Sequence, residues 1–296
     1  MKVPVDLALT LAAAVEEGTL DAAARKLHLT QSAVSQRLAT LERLTGQVLL
    51  VRSRPVRSTA AGDRIIRYAR QVAHLDADLA HSIGLDDTST PMPLAVNADS
   101  LAAWILPTLC AEAAERGILL ELHREDEGHT SHLLADGTVA AAVTTDAEPV
   151  PGCSVTPLGS LRYQAVAAPE FARRWFPDGP TPQAISAAPA VDFDSKDVIQ
   201  NRYLAALGLN PTDTPRHLVP SSTEFAQAIA LGLGWGLLPA VQREGHELIS
   251  LGGPDITVTL YWQQWRTHSA TLAALAHAVR TAAHAHLEPL KAEGAA

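Results

Sequence analysis

Over residues 4–58 the apolar positions recur at helical spacing in three short runs. Leu7, Leu11 and Ala14 share one face and predict an amphipathic helix that ends before Gly18. Leu20, Ala24 and Leu27 predict a second helix opened by Thr19. Val34, Leu38 and Leu41 predict a third, opened by Thr30 and closed by Gly46. A threonine at a helix start accepts a hydrogen bond from an amide that the helix itself leaves unpaired. Residues 48–51 and 56–59 read as two short strands around the tip Arg52-Ser53-Arg54-Pro55. Thr59 then opens a long helix to about residue 83. Its apolar residues fit a heptad, with Ile65, Val72 and Leu79 in one register and Tyr68 and Leu75 in the other. So narrow a seam suits a partner helix, with packing on its own domain as the alternative.

The polar, proline-bearing residues 86–93 read as the main linker, and beyond them the texture changes. Strands are predicted at 94–96, 118–122, 139–143, 162–168, 190–193, 217–219 and 258–262. Helices are predicted after residue 96, capped by Asp99 or Ser100, and at 131–135, 223–231 and 271–286. Strand–helix alternation implies open α/β sheets with ligand crevices at the carboxyl ends of strands.

The length of 296 residues allows two domains, and 47% apolar residues exclude a disordered chain. Cys110 and Cys153 are too few for a disulfide scaffold or a four-cysteine zinc site and read as two small buried hydrophobes in a reducing cytosol. Residues 7–15 lack the continuity and the cleavage site of a secretory signal. The uncharged stretch 225–242 is broken by Gly232, Gly234, Gly236 and Pro239, so it is a poor membrane helix. The expected location is the cytoplasm, in association with the nucleoid, with no membrane partner.

A net charge of −9 argues at first against a nucleic-acid partner. Its distribution reverses that argument. Residues 22–70 carry ten arginines and lysines against Glu42 and Asp63, a local charge of +8, which leaves −17 on the remainder. A basic module on an acidic body is the electrostatic signature of DNA binding. The second and third predicted helices, joined by a short turn, form a helix-turn-helix whose second helix would enter the major groove. Thr30, Gln31, Ser32, Ser35 and Gln36 supply short or amide side chains for base edges and phosphates. Arg37 is placed for phosphate, and Arg52, Arg54 and Arg57 form a wing beside the groove.

Residues 22–62, AAARKLHLTQSAVSQRLATLERLTGQVLLVRSRPVRSTAAG, resemble the N-terminal domain of LysR-type transcriptional regulators. The resemblance continues down the whole chain. The segments VNADS (96–100), AVTT (142–145), VPGC (150–153), GLGWG (232–236) and LYWQ (260–263) look like the lysine/arginine-export regulator subfamily. The fold this implies is α/β overall. It comprises a winged helix-turn-helix over 1–58, a linker and dimerisation helix over 59–90, and a periplasmic-binding-protein-like effector domain over 91–296. The effector domain would hold two α/β subdomains, one about 91–161 plus 268–296 and the other about 162–267. The resemblance also implies a homodimer or homotetramer on a promoter palindrome, contact with RNA polymerase, and no enzymatic activity.

A free basic amino acid needs acceptors for its ammonium and an anion for its side chain. The candidates for effector binding are Asn97, Asp99, Ser100, Asp126, Thr144, Ser222 and Glu224, with Glu125 and Asp146 as further acids. No cofactor or metal is expected. His123, Glu125, Asp126, His129 and His132 form the one metal-like cluster, without a matching ligand pair. Gly232, Gly234 and Gly236 follow a helix and precede a strand, the reverse of a dinucleotide-binding turn. The expected function is a ligand-responsive regulator that senses lysine or arginine and controls an amino-acid exporter gene, effector binding shifting the population of DNA-bending states. Three rivals stay open: a small-molecule-binding protein or enzyme that dimerises through its N-terminal helices, the same family with another effector, and an effector-independent DNA-bending or replication-initiation factor.

Overall fold

Pro4, in extended conformation, leads into α1 (Val5–Glu16), and Gly18 at φ +68° turns the chain toward α2 (Leu20–Lys26). Thr19 caps α2 by accepting from the Ala22 amide at 3.1 Å. Thr30 caps α3 (Gln31–Thr45) through the Ala33 amide at 3.2 Å, and Gly46 ends α3 in the left-handed region. All three residues act as their local chemistry predicts. The antiparallel pair β1 (Leu50–Val51) and β2 (Arg57–Ser58) forms the wing, with Leu50 opposite Ser58. Its return strand is fixed to the turn before α2, because the Val56 amide donates to the Gly18 carbonyl at 2.8 Å. Leu11, Val34, Leu41 and Leu49 fill the core beneath.

The long helix α4 (Ala60–Ser82) starts against this core. Gly62 permits the approach, since a Cβ there would overlap the Leu49 carbonyl oxygen. Ile66 and Ala69 are buried in the same core, with Ile65 and Tyr68 partly buried beside them. The expected heptad seam is therefore divided. Its first turns pack on the helix's own domain, whereas Leu75 and Leu79 are 38% and 59% exposed, and Ile83 and Leu85 just past the helix end are 58% and 66% exposed.

The computed structural model describes residues 2–85, 91–124 and 130–290. After α4 the described chain resumes before β3 (Met92–Val96), so the last two residues of the expected linker belong to a strand. Next come α5 (Ala98–Ser100), a π-helical stretch (Leu101–Ile105) and α6 (Leu106–Arg116), followed by β4 (Leu120–Arg124), α7 (Thr130–Ala135) and β5 (Ala141–Thr144). Then β6 (Cys153–Ala167) leads to α8 (Pro169–Trp175), α9 (Pro182–Ala187), β7 (Ala190–Asp192) and α10 (Ile199–Ala206). The chain closes with β8 (Arg216–Leu218), α11 (Ser222–Ala230), β9 (Gly236–Pro239), α12 (Ala240–Arg243), β10 (Ile249–Ser250), β11 (Ile256–Trp265) and α13 (Ala270–His286).

Two compact units result. The first holds residues 1–96, 111–156 and 262–277, and the second holds 97–110, 157–261 and 278–296. In the first, fully buried β3 pairs in parallel with β4 and β5, with Leu94 opposite both Leu122 and Ala141. In the second, β6 pairs antiparallel with β9 and β10, and β7 pairs in parallel with β8. A hydrogen-bonded ion pair fastens this last pair. Arg216 Nη1 donates to both Asp192 oxygens at 2.7 and 2.8 Å, and Nη2 donates to Asn201 Oδ1 at 2.9 Å. Burial raises the Asp192 pKa more than the Arg216 charge lowers it. The expectation of two buried cysteines holds for Cys153 but not for Cys110, which is exposed on α6.

Candidate functional site

The helix-turn-helix presents one polar face. On α3, Gln31, Ser32, Ser35 and Gln36 are exposed, opposite the buried Val34, Leu38 and Leu41. Ser32 Oγ lies 3.0 Å from the hydroxyl of the exposed Thr30, which also caps the helix. Arg37 is half-buried and donates through one nitrogen to Thr10 Oγ1 of α1 at 3.4 Å. Arg52, Arg54 and Arg57 are all exposed on the wing.

The basic segment is less free than its composition suggests. Arg25 pairs with Asp21, and Lys26 Nζ lies 3.0 and 3.2 Å from Glu16 and Glu17. These three acids sit just ahead of residue 22, where the basic stretch begins. At its other end, Arg67 donates to the Pro151 carbonyl at 2.6 Å and Arg70 to Thr138 Oγ1 at 3.2 Å. The wing and the α3 face thus present exposed bases and polar groups, and Arg64 at the start of α4 is exposed as well.

In the second unit, Asn97 rather than Asp99 or Ser100 occupies the helix start, and its side chain makes no capping bond. The expected cap is wrong because the helix begins earlier, at Ala98, leaving Asp99 and Ser100 inside α5, with the Asp99 carboxylate engaged by other elements. Its Oδ2 accepts from Tyr163 Oη at 2.7 Å, and its Oδ1 accepts from Gln242 Nε2 at 3.2 Å and from the Ser222 hydroxyl. Gln242 Nε2 also donates to Ser222 Oγ at 3.0 Å. The three donors found among the described residues are neutral, so they orient the carboxylate without cancelling its charge. Asp197, whose oxygens accept from the Phe193 and Ile199 amides, feels that charge. Burial chiefly, then Asp99 and Asp194, push its pKa up against those two amides. Asn97 Oδ1 and Ser100 Oγ are buried with no hydrogen-bond partner among the described residues, an acceptor and a hydroxyl in reserve close by in sequence.

Residues 6–63 match the family described as "Bacterial regulatory helix-turn-helix protein, lysR family", and residues 94–284 match "LysR substrate binding domain". The chain belongs to the LysR family. It is a LysR-type transcriptional regulator with a DNA-binding helix-turn-helix, and its relatives are regulators rather than enzymes. Lysine export transcriptional regulatory protein LysG of Corynebacterium glutamicum is 39% identical over 285 residues, which are 95% of this chain and 98% of that protein. Two solved structures resemble it along nearly the whole chain. ArgP from Mycobacterium tuberculosis gives a TM-score of 0.86 at 37% identity, over 96% of this chain and 98% of that one. Full-length LysG from C. glutamicum with bound effector Arg gives 0.80 at 36% identity, over 97% and 100%.

Within this LysR-type chain, the sequence-predicted effector residues separate into groups. Asp99 and Ser222 meet directly, with Asn97 and Ser100 on the same helix start as Asp99. Thr144 belongs to the first unit, where its hydroxyl accepts from the Asp146 amide at 3.1 Å. Glu224 is exposed and takes a hydrogen bond from Ser221, which lowers its pKa. Asp126, like Glu125 and His129, lies outside the described residues. Among the described residues no group of three or more His, Cys, Asp or Glu is placed to hold a metal ion, and no helix is long and apolar enough to cross a membrane. Tyr163 and Gln242 are the members of the Asp99 cluster that the sequence did not reveal. They lie 64 and 143 residues away from Asp99.

Proposed function

We propose that this LysR-type regulator senses a basic amino acid, arginine or lysine, and controls an amino-acid exporter gene from the cytoplasm. The observation that carries the reading is Asp99, whose carboxylate accepts from three neutral donors among the described residues and would be complemented by a cationic ligand. The bound effector Arg in the C. glutamicum relative supports it. Asp99 and Ser222 would take the cationic group, with Asn97 and Ser100 as further contacts; Thr144, in the first unit, is a candidate contact in its own right. The α3 face and the wing arginines would read a promoter palindrome. The exposed aliphatic residues of α4 would pair two chains into a dimer, two dimers into a tetramer, and RNA polymerase would contact the assembly on DNA. The domain reading is 1–58 for the DNA-binding module, 59–90 for the linker helix and 91–296 for the effector domain.

Calorimetric titration of the full chain with arginine, lysine and, as an anionic control, benzoate tests the effector. Saturable heat is expected for the two cations alone. Heat from benzoate alone would replace the basic amino acid by an organic acid.

A further inference from the structure

One face of α4 is polar for a reason the heptad does not supply. Arg67, Arg70, His74 and Asp78 recur at helical spacing, and each meets a part of the first unit far away in sequence. Arg67 reaches the Pro151 carbonyl and Arg70 the Thr138 hydroxyl. The His74 ring lies 5.7 Å from that of Trp265, and Asp78 Oδ1 accepts from Thr271 at 2.6 Å. Gly137, at φ +79°, lets the helix come this close. A Cβ there would stand 2.7 Å from the Arg67 Cα, and a Cβ on Gly152 would stand 3.2 Å from the Arg67 guanidinium.

The segment that receives Arg67 is itself held as a block. The fully buried Gln263 accepts from the Val150 amide at 3.0 Å and donates to the carbonyls of Asp146 and Glu148 at 3.0 and 2.9 Å. At the other end of this loop the Asp146 amide donates to Thr144 Oγ1 at 3.1 Å, and Asp146 Oδ2 accepts from Ser131 at 3.1 Å. An unbroken run of hydrogen bonds therefore joins the end of β5 to the linker helix.

We propose that the loop 145–152, clamped by Gln263, is the relay through which the end of β5 communicates with α4 and so with the helix-turn-helix. The proposal rests on the reading above in one respect, that Thr144 is an effector contact. A ligand that draws on the Thr144 hydroxyl displaces the Asp146 amide. Because Gln263 holds three backbone groups of the loop at once, the displacement carries Pro151 with it, and the Arg67 dock is made or broken as a unit. That dock is the two-state element which both ends can bias.

Hydrogen–deuterium exchange on the full chain tests the relay with or without an effector. Thr144→Ala is expected to speed exchange of the α4 amides by at least about fivefold, the lower end of ordinary site–site coupling. In an Arg67→Ala background the same change should add less than about twofold, because the link is already cut. Thr144→Ser, which keeps the hydroxyl, should behave as the unsubstituted chain and serves as the control for a packing defect. Unchanged α4 exchange in Thr144→Ala, or equal effects in both backgrounds, overturns the relay. With arginine added, α4 exchange should respond in the unsubstituted chain and not in Arg67→Ala. Arginine that binds by calorimetry yet leaves α4 unchanged also overturns it. Absence of arginine heat counts against the effector reading alone, and the substitution cycle still decides the relay.

Discussion

Replacing Asp99 by Asn removes a charge while keeping the hydrogen-bond set, and the geometry says how. Oδ1 accepts from Gln242 and Ser222, and Oδ2 accepts from Tyr163 at 2.7 Å. An asparagine can leave its oxygen facing Gln242 and Ser222 and turn its amide toward Tyr163, whose hydroxyl rotates to accept. At most one hydrogen bond of about 0.5–1.5 kcal/mol is weakened by this exchange. For a chain of this size that shifts the melting temperature by only about 2–4 °C per kcal/mol. A hydrogen bond to a charged partner is worth about 1.5–3 kcal/mol, so arginine affinity should fall by about 10–150-fold. Calorimetry at matched pH and ionic strength gives the affinity, and a thermal melt of the same sample gives the stability. An Asp99→Asn protein that melts normally and binds arginine within twofold of the unsubstituted chain would refute the argument that this carboxylate holds the cation.

Three further outcomes follow from the same structure. Arg52→Ala with Arg54→Ala should weaken binding to any duplex and reduce the slope of log K against log salt by about 0.9 for each phosphate no longer neutralised, read by fluorescence anisotropy across a salt series. Leu79→Glu with Ile83→Glu, at positions 59% and 58% exposed, should leave the melting temperature nearly unchanged. Burial of such side chains is worth about 1.5–3 kcal/mol each, so the double change should raise a dimer dissociation constant at least about a hundredfold, seen as monomer by light scattering. His74 is buried against Trp265, with Asp78 and Arg70 as the charged groups facing it. Burial lowers its pKa below the ordinary 6.5, with Asp78 opposing and Arg70 assisting. The folded state thus binds fewer protons than the unfolded one. Stability from this site is fully present above pH 6.5 and declines as the pH falls below it, and His74→Gln should flatten that decline in a pH series of melts.

What the sequence made legible was local. Thr19, Thr30 and Gly46 declare helix ends because a cap is decided within four residues. The first half of β6 escaped notice because Pro157 and Gly159 interrupt its pattern, and only the apolar run after residue 161 reads as strand. The short helices α8 and α9 begin with Pro169 and Pro182 at their first positions, a start signal too brief to stand out without a following apolar period. Asp99 was legible as an acid at a helix start, but its three donors come from β6, α11 and α12 and meet only in the folded chain. The basic segment looked more open to DNA than it is for the same reason. Arg67 and Arg70 read as DNA-facing charges until folding turns them to carbonyls 84 and 66 residues away.

The link between the wing and the turn before α2 has a further consequence. The Val56 amide is bonded to the Gly18 carbonyl, and a Cβ on Gly18 would stand 3.1 Å from the Pro55 side chain in a backbone conformation that favours glycine. The arginines that would grip phosphate and the helix that would read bases therefore share one anchor. A shift of the wing would be felt first at the turn that opens the helix-turn-helix. A side chain at Gly18 would likewise press on Pro55 and disturb the wing from a position that carries no side chain of its own.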